Sequence, residues 1–324
     1  MIDQKIKLLK GISIGVNKKF NRIPTKSPVV KAFAALLYSN WKDRAETVIK
    51  AAAGVKATEG WADSFIAKAD KKMGSFGSAV AGDCSEHTNY LYRSSKLQFI
   101  KERKLVKVRK LDDIEIPDEF WSEADVTNIE AIEKHIIGST GKFYEKSSQR
   151  AITESVKKNI FERGLVGDEL VEAVMSDVSK ALHMELGSLA SEVVPEGFRG
   201  LAEEYFKGIS EHVATLTRTG SIMEALSDSD VQTFVIRSMQ TDRTCIGCLE
   251  MDGETFEVEK GYDHFQSLVE ADDEEQMAEI QPSFHFGAPG ENSEDKLAEL
   301  ADLADAGVML PPFHFRCECY VDME

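Results

Sequence analysis

Two cysteine clusters near the C-terminal end limit what this 324-residue chain can fold into. Four of its five cysteines lie in Cys245-Ile246-Gly247-Cys248 and in Cys317-Glu318-Cys319. A Cys-x-x-Cys turn, eased here by Gly247, brings two sulfur atoms within reach of one metal ion. On an extended chain, residues two apart point to the same side, so the second pair can converge as well. The 68 residues of 249–316, which separate the pairs, must then be folded or looped out.

Four thiolates form the closed tetrahedral coordination that is typical of structural zinc. We therefore predict one Zn²⁺ bound by Cys245, Cys248, Cys317 and Cys319. His314, three residues before Cys317, is a further candidate ligand.

Three other interpretations of the clusters stay open. A disulfide requires an oxidising compartment, which nothing in the sequence indicates. A redox-active Cys-x-x-Cys is typical of a βαβ context, and the neighbouring residues show no such pattern. Buried, reduced thiols without a metal are the third. The remaining Cys84 lies far from both clusters and is interpreted as an unpaired thiol that binds nothing.

Composition places the chain among ordinary globular proteins, with 42% hydrophobic and 29% charged residues. No apolar run approaches the roughly 20 residues that a membrane span needs. The first ten residues alternate lysines with apolar residues and lack the uninterrupted apolar segment of a signal peptide. We expect synthesis in the cytoplasm, reduced thiols and no membrane partner.

The net charge of −17 is distributed unevenly. Residues 1–50 hold eleven Lys/Arg against three Asp/Glu, whereas residues 241–324 hold four against twenty-two. A basic arm at the N-terminus suits either DNA phosphates or an acidic protein surface. The acidic C-terminal region opposes long-range attraction to DNA, which favours docking on protein. The arm includes Lys5, Lys7, Lys10, Lys18, Lys19 and Arg22.

Apolar periodicity predicts a mainly α protein with a small C-terminal α+β zinc-binding module. Ser27-Pro28 is a standard helix start, and Gly54 is a suitable end for the first helix. Glycines and a proline punctuate the later helices, and Gly74–Gly82 is interpreted as a flexible breaker. The predicted helices span 28–53, 60–73, 86–103, 125–138, 140–163, 167–190, 197–215 and 218–227.

Strand-like segments are predicted at 105–111, 231–238, 254–258 and 319–321. The last three would form a small sheet around the metal, because so short a sheet buries little apolar surface alone. The acidic segment Asp112–Asp118, with Pro117, is the predicted linker. We thus expect an N-terminal helical region with the basic arm (1–115), a helical domain (120–228) and the cysteine module (229–324).

Three blocks in this order resemble a known family. They are Thr215–Gly220, Asp242–Gly253 with its Cys-x-x-Cys and Asp-Gly, and Pro311–Cys319. Together they are similar to the C-terminal domain of the phage Mu F-like minor head proteins of tailed bacteriophages. That family has an Arg-Thr-Glu element, a Cys-x-x-Cys followed by Asp-Gly, and a terminal Pro-Pro-x-His-Pro-x-Cys-Arg-Cys. The resemblance covers about residues 150–322.

Three positions depart from the family pattern. Gly220 stands in place of Glu, Phe315 in place of Pro, and Glu318 in place of Arg. The first departure removes any role of that acidic side chain. The other two leave the cysteines and His314 intact.

The resemblance implies a head-morphogenesis protein that is present in few copies inside the phage head. It implies the portal protein and other head proteins as partners, with assembly in the host cytoplasm and a final location in the virion. It also implies a role in DNA packaging or ejection, with the basic arm as a candidate contact to packaged DNA.

Motifs for catalysis are missing from the sequence. It has no Walker-type loop, no Gly-x-Ser-x-Gly and no His-Glu-x-x-His, so we expect a protein that is not an enzyme. The alternative is a zinc-dependent nucleic-acid-processing enzyme or DNA-binding module, which would need an open coordination position and a nearby base. His264, His285 and Glu250 are the side chains that such a site would use.

Overall fold

Nine helices and three strands make up the part of the chain that the computed structural model describes. The described residues are 27–53, 66, 68, 71, 73–103, 121–142, 144, 148–186, 201–240, 246–271, 274–281, 308–313 and 317–323. The helices are α1 (Pro28–Ala53), α2 (Phe76–Arg103), α3 (Glu123–Lys142), α4 (Gln149–Phe161), α5 (Gly167–Leu186), α6 (Leu201–Ser227), α7 (Ile246–Glu250), α8 (Val258–Glu270) and α9 (Glu274–Ile280). The strands are β1 (Thr233–Arg237), β2 (Thr255–Glu257) and β3 (Tyr320–Met323).

Helix α6 lies at the centre of the fold. Nearly every residue in 206–226 is buried, and the helix packs against α1, α2, α3, α5, α8 and strand β3. A helix that is covered all round in this way forms the core of a domain rather than its surface. Since α6 contacts both the N-terminal helices and the C-terminal sheet, it positions one relative to the other.

The predicted break between helices 197–215 and 218–227 is wrong, because α6 runs through Gly220 without interruption. Phe265 of α8 packs against this glycine. A Cβ atom at position 220 would lie only 2.2 Å from the Phe265 Cζ atom. Gly220 therefore allows close packing of two helices and does not end one.

Aromatic side chains fill the core between α1 and α6. Trp41, in the predicted and confirmed helix over 28–53, is fully buried, and its ring lies 6.4 Å from that of Phe206. Its indole Nε1–H donates to the Ser148 hydroxyl at 3.0 Å. The indole thus buries a large apolar surface while its single donor stays hydrogen-bonded.

The interpretation of Gly74–Gly82 as a flexible breaker is wrong from Phe76 onward, where α2 begins. The Ser75 hydroxyl caps this helix by accepting from the Ser78 backbone N–H at 3.1 Å. Gly77 lies against the backbone of α3, since a Cβ there would meet the Ile137 carbonyl oxygen at 2.6 Å. The missing side chain lets two helices approach each other.

The ends of the other predicted helices differ from the observed ends by a few residues. The exception is the helix predicted over 140–163, which starts only at Gln149. The structure has helices at Glu123–Lys142, Gln149–Phe161 and Gly167–Leu186 where 125–138, 140–163 and 167–190 were predicted. The basic arm, the predicted strand 105–111 and the linker Asp112–Asp118 lie outside the described residues, as does most of the predicted helix 60–73.

The three strands form an antiparallel sheet in the order β2-β1-β3. Central strand β1 pairs Phe234 with Phe256 of β2 and Ile236 with Val321 of β3. The predicted strands at 231–238, 254–258 and 319–321 are therefore confirmed, each with shifted ends. The expected mainly helical fold with a small C-terminal sheet is confirmed as well. None of the helices in the described ranges is long and apolar enough to cross a membrane.

Candidate metal centre

Three cysteine thiols from the two sequence clusters meet beside the small sheet. Cys248 lies on α7, and Cys317 and Cys319 lie just before β3. Their sulfur atoms are all within 4.8 Å of one another. All three side chains are buried, with at most 2% of their surface exposed. The predicted convergence of the two clusters is thus confirmed for these three residues.

The sulfur separations suit a shared metal ion better than a disulfide. The Cys248 and Cys317 Sγ atoms are 3.7 Å apart. A disulfide bond is about 2.05 Å long. Two thiolates on one tetrahedral zinc, each with a Zn–S bond of about 2.3 Å, are about 3.8 Å apart. The three cysteines could therefore hold one metal ion with little rearrangement.

A turn after β1 brings Cys248 to this place. One carboxylate oxygen of Asp252 accepts from the Ser238 backbone N–H at 2.7 Å, and the other accepts from the Gln240 side chain at 2.6 Å. Gly253 then adopts a φ of +98° and donates its N–H to the Ile236 carbonyl oxygen at 2.9 Å. The Asp-Gly pair in the sequence block therefore closes the loop that carries Cys248.

Gly247 was expected to provide the turn within Cys-x-x-Cys, but it lies inside the short helix α7. In the described part of this loop, Gln240 and Gly253 have positive φ angles instead, of +47° and +98°.

Helix α6 holds the second cluster. The Thr215 hydroxyl donates to the Cys317 carbonyl oxygen at 3.2 Å, in buried surroundings. The Arg218 guanidinium lies over the Tyr320 ring, 5.4 Å from its centroid. Both residues belong to the Thr215–Gly220 block, so this block supports the cysteines although it contributes no ligand. The sequence alone indicated no structural role for Thr215 or Arg218.

The Cys319 backbone N–H donates to the Cys317 sulfur at 3.4 Å. A hydrogen bond of this kind favours the thiolate over the thiol, because the acceptor carries more charge when deprotonated. It therefore suits a sulfur atom that serves as a metal ligand.

Gln281 fixes the segment that precedes the second cluster. Its fully buried side chain donates to the carbonyl oxygens of Leu310 and Pro312, at 2.9 and 2.7 Å. Its Oε1 lies 3.1 Å from Nε2 of His264. Burial lowers the pKa of His264, which favours a neutral ring there. A single glutamine in an irregular segment carries no pattern, so the sequence could not reveal this role.

The predicted ligands Cys245 and His314 lie outside the described residues, as does His285. Of the side chains considered for a catalytic site, His264 contacts Gln281 and Glu250 is exposed. Among the described residues, neither belongs to the group that could hold a metal ion.

Cys84 does not belong to the group of three thiols described above. It is buried on α2. Burial, together with the charges of Asp83 and Glu133, raises the pKa of its thiol to about 12. The thiol is therefore protonated at neutral pH, unlike a metal-bound sulfur.

Comparisons of this chain with protein-family models, with curated proteins and with solved structures found no match.

Proposed function

We infer that this chain is a minor head protein of a tailed bacteriophage, acting in head morphogenesis at the portal vertex inside the head. The observation that carries the proposal is the meeting of buried sulfur atoms from clusters 69 residues apart in sequence. The same clusters carry the resemblance to Mu F-like proteins. In addition, Thr215 and Arg218, from the first block of that resemblance, contact the segment that carries the third block. The described parts of the three blocks thus contact one another.

The proposed role of the centre is structural. Zn²⁺ would be bound by Cys248, Cys317 and Cys319, with Cys245 or His314 as the fourth ligand. Bound zinc would join α7 to the start of β3, and thereby stabilise a sheet of only three short strands. The burial of all three sulfur atoms supports a closed site over a catalytic one, which needs an open coordination position.

Co-purification with the portal protein from the same phage tests this function. The tagged full-length chain is co-expressed with that portal protein, and with the major capsid protein as a control. We expect the portal protein to be retained in stoichiometric amounts and the capsid protein to be lost on washing. Loss of both, from protein that is folded and carries its metal, would contradict the proposed role at the portal vertex.

The second candidate is a zinc-dependent nucleic-acid-processing enzyme or a DNA-binding module. The observation in its favour is the basic composition of residues 1–50, which could attract a phosphate backbone. The strongly acidic region 241–324 acts against it. Salt-dependent DNA binding by the full chain separates the two functions, as described below.

A further inference from the structure

A buried cluster of charged groups lies where helices α2, α3, α6 and α8 meet. The Lys96 ammonium group, on α2, is bound by both carboxylate oxygens of Asp125 on α3, at 2.7 and 2.9 Å. It also lies 3.4 Å from a carboxylate oxygen of Asp228, just after α6. Lys96 and Asp125 are almost completely buried, whereas the Asp228 side chain is 60% exposed.

Glu224 of α6 is the third carboxyl group of this cluster and is 3% exposed. One of its oxygens accepts from the Ser122 hydroxyl at 3.3 Å, and the other accepts from the Asn128 amide at 3.2 Å. The Tyr262 hydroxyl of α8 is also hydrogen-bonded to it. Glu224 therefore receives donors from the start of α3, from α3 itself and from α8.

Asp125 makes further hydrogen bonds at the start of α3. It accepts from the Ser122 backbone N–H at 3.0 Å while its own N–H donates to the Ser122 hydroxyl at 3.0 Å, which is a capping box at the start of α3. Together with the bidentate contact to Lys96, these bonds hold the Asp125 side chain in place. Lys96, the cation among the described groups of this cluster, is thus already paired with Asp125.

Every element around Glu224 contributes a polar or charged group. Helix α2 provides Lys96 and Tyr92, α3 provides Asp125 and Asn128, and the turn after α6 provides Asp228. Helix α8 provides Tyr262, and the Gln266 side chain of the same helix donates to the side-chain Oδ1 of Asn128 at 3.2 Å. The carboxyls of Asp125 and Glu224 and the Lys96 ammonium are buried, so ionisation of both carboxyls would leave one excess negative charge in a buried place, with the exposed Asp228 carboxyl nearby.

We propose that Glu224 is a pH-dependent latch, which holds α8 against α3 and α6 while it is protonated and loosens α8 when it ionises. When Glu224 is protonated on the oxygen that faces Ser122, it can donate to the Ser122 hydroxyl, whose own proton then goes to an Asp125 oxygen 3.2 Å away. Its other oxygen still accepts from the Asn128 amide, and the Tyr262 hydrogen bond is kept, so no charge is added. An ionised Glu224 is repelled by Asp125 and Asp228. The least costly relief is an outward movement of α8, because this brings water to the cluster.

The direction of the pKa shift agrees with this geometry. Burial raises the pKa of Glu224 above 4.5, and Asp125 and Asp228 raise it further, whereas Lys96 and the Tyr262 hydroxyl act in the opposite direction. A carboxyl with a raised pKa in the closed state stabilises that state fully below pH 4.5. The contribution is lost as the pH rises from 4.5 to the pKa of the closed state.

Hydrogen exchange of the α8 amides in the full chain tests the latch. Rates are measured between pH 4.5 and 9 and divided by the intrinsic rate at each pH, which gives protection factors. In the wild type we expect the protection of α8 to fall by up to tenfold per pH unit above 4.5, and to level off at the pKa of Glu224. In Glu224→Gln this fall should disappear, because the amide keeps hydrogen bonds but cannot ionise.

Two further variants complete the design. Asp228→Asn removes an exposed negative charge that raises the pKa of Glu224. In this variant, which should fold normally, the fall in α8 protection should level off at a lower pH. Glu46→Gln, in an exposed ion pair on α1, should leave the wild-type curve unchanged. His264 lies on α8 and has a lowered pKa, so it adds an opposite slope below pH 6.5, which cancels when variants are compared.

A wild-type curve that matches that of Glu224→Gln would overturn the proposal. If Glu224→Gln does not fold, the Asp228→Asn curve decides alone: an unshifted plateau also contradicts a latch at Glu224.

Discussion

Residues of one type have different chemistry in this chain because of their surroundings. Cys84 is buried among the helices, and burial raises its pKa. Cys317 is equally buried, but it receives a backbone N–H from Cys319 and has the Cys248 sulfur 3.7 Å away. The first environment favours a neutral thiol, whereas the second suits a metal-bound thiolate. Both cysteines have the same exposed fraction, so burial alone does not explain their different chemistry.

The metal content of Cys248→Ser and Cys84→Ser should reflect this difference. We expect about one zinc per chain in the wild type and in Cys84→Ser, and a large loss of zinc in Cys248→Ser, because a hydroxyl is a poor zinc ligand. Elemental analysis of protein purified without chelator, combined with thiol titration, gives the ratio. Folded wild-type protein without metal would contradict the zinc site.

Glycines in the helices have two roles that sequence patterns do not distinguish. Gly77 and Gly82 lie on the same helix, α2. A Cβ atom at Gly77 would clash with the Ile137 carbonyl oxygen at 2.6 Å, whereas at Gly82 it would meet nothing within 4 Å. Gly77 is therefore needed for the packing of α2 on α3, while Gly82 is an exposed helix position with room for a side chain.

Alanine substitutions at these two glycines should change stability in opposite directions. Gly77→Ala forces α2 and α3 apart and should lower the free energy of unfolding by about 1–3 kcal/mol. Gly82→Ala removes backbone freedom from the unfolded chain and should raise it by about 0.5–1 kcal/mol. Urea unfolding followed by circular dichroism measures both. Equal effects of the two substitutions would mean that the close contact does not constrain the helices.

At the scale of the whole molecule, contacts far apart in sequence join the helices to the C-terminal sheet. Arg103, at the end of α2, forms an ion pair with Asp322 of β3. Thr215 bonds to the backbone of Cys317, and α8 packs on α3 and α6. The metal centre, the sheet and the Glu224 cluster are therefore all attached to the central helix α6.

The charge distribution of the whole chain leads to a prediction about DNA. If six basic side chains of the arm contacted phosphates, the logarithm of the binding constant would fall with a slope of about −5 against the logarithm of salt concentration. We expect weak binding and a much shallower slope for the full chain, because its acidic region repels DNA. Fluorescence anisotropy with duplex DNA, titrated across salt concentrations, measures both quantities.

A variant with alanine in place of Lys5, Lys7, Lys10, Lys18, Lys19 and Arg22 is the control, and it should bind DNA as weakly as the wild type. Tight, salt-sensitive binding by the wild type that is lost in this variant would instead favour the DNA-binding alternative.

The sequence by itself determined the local features of this protein. Apolar periodicity and a capped start predicted α1, a β-branched run predicted β1, and an alternating pattern predicted β2. Close spacing within each cysteine cluster predicted their convergence, which the structure shows for Cys248, Cys317 and Cys319. These features depend on residues a few positions apart, so their physical causes can be read along the chain.

Only the tertiary structure decided which residues support the site and what the glycines do. Gly77 and Gly220 look like helix breakers, because the sequence does not reveal the carbonyl or ring that packs against them. Thr215 and Gln281 hold the second cluster through hydrogen bonds that span 102 and about 30 residues. Glu224 looks like any surface glutamate until Asp125 and Lys96 are placed beside it. Such roles depend on partners distant in sequence, and the burial that gives them their energy exists only in the folded chain.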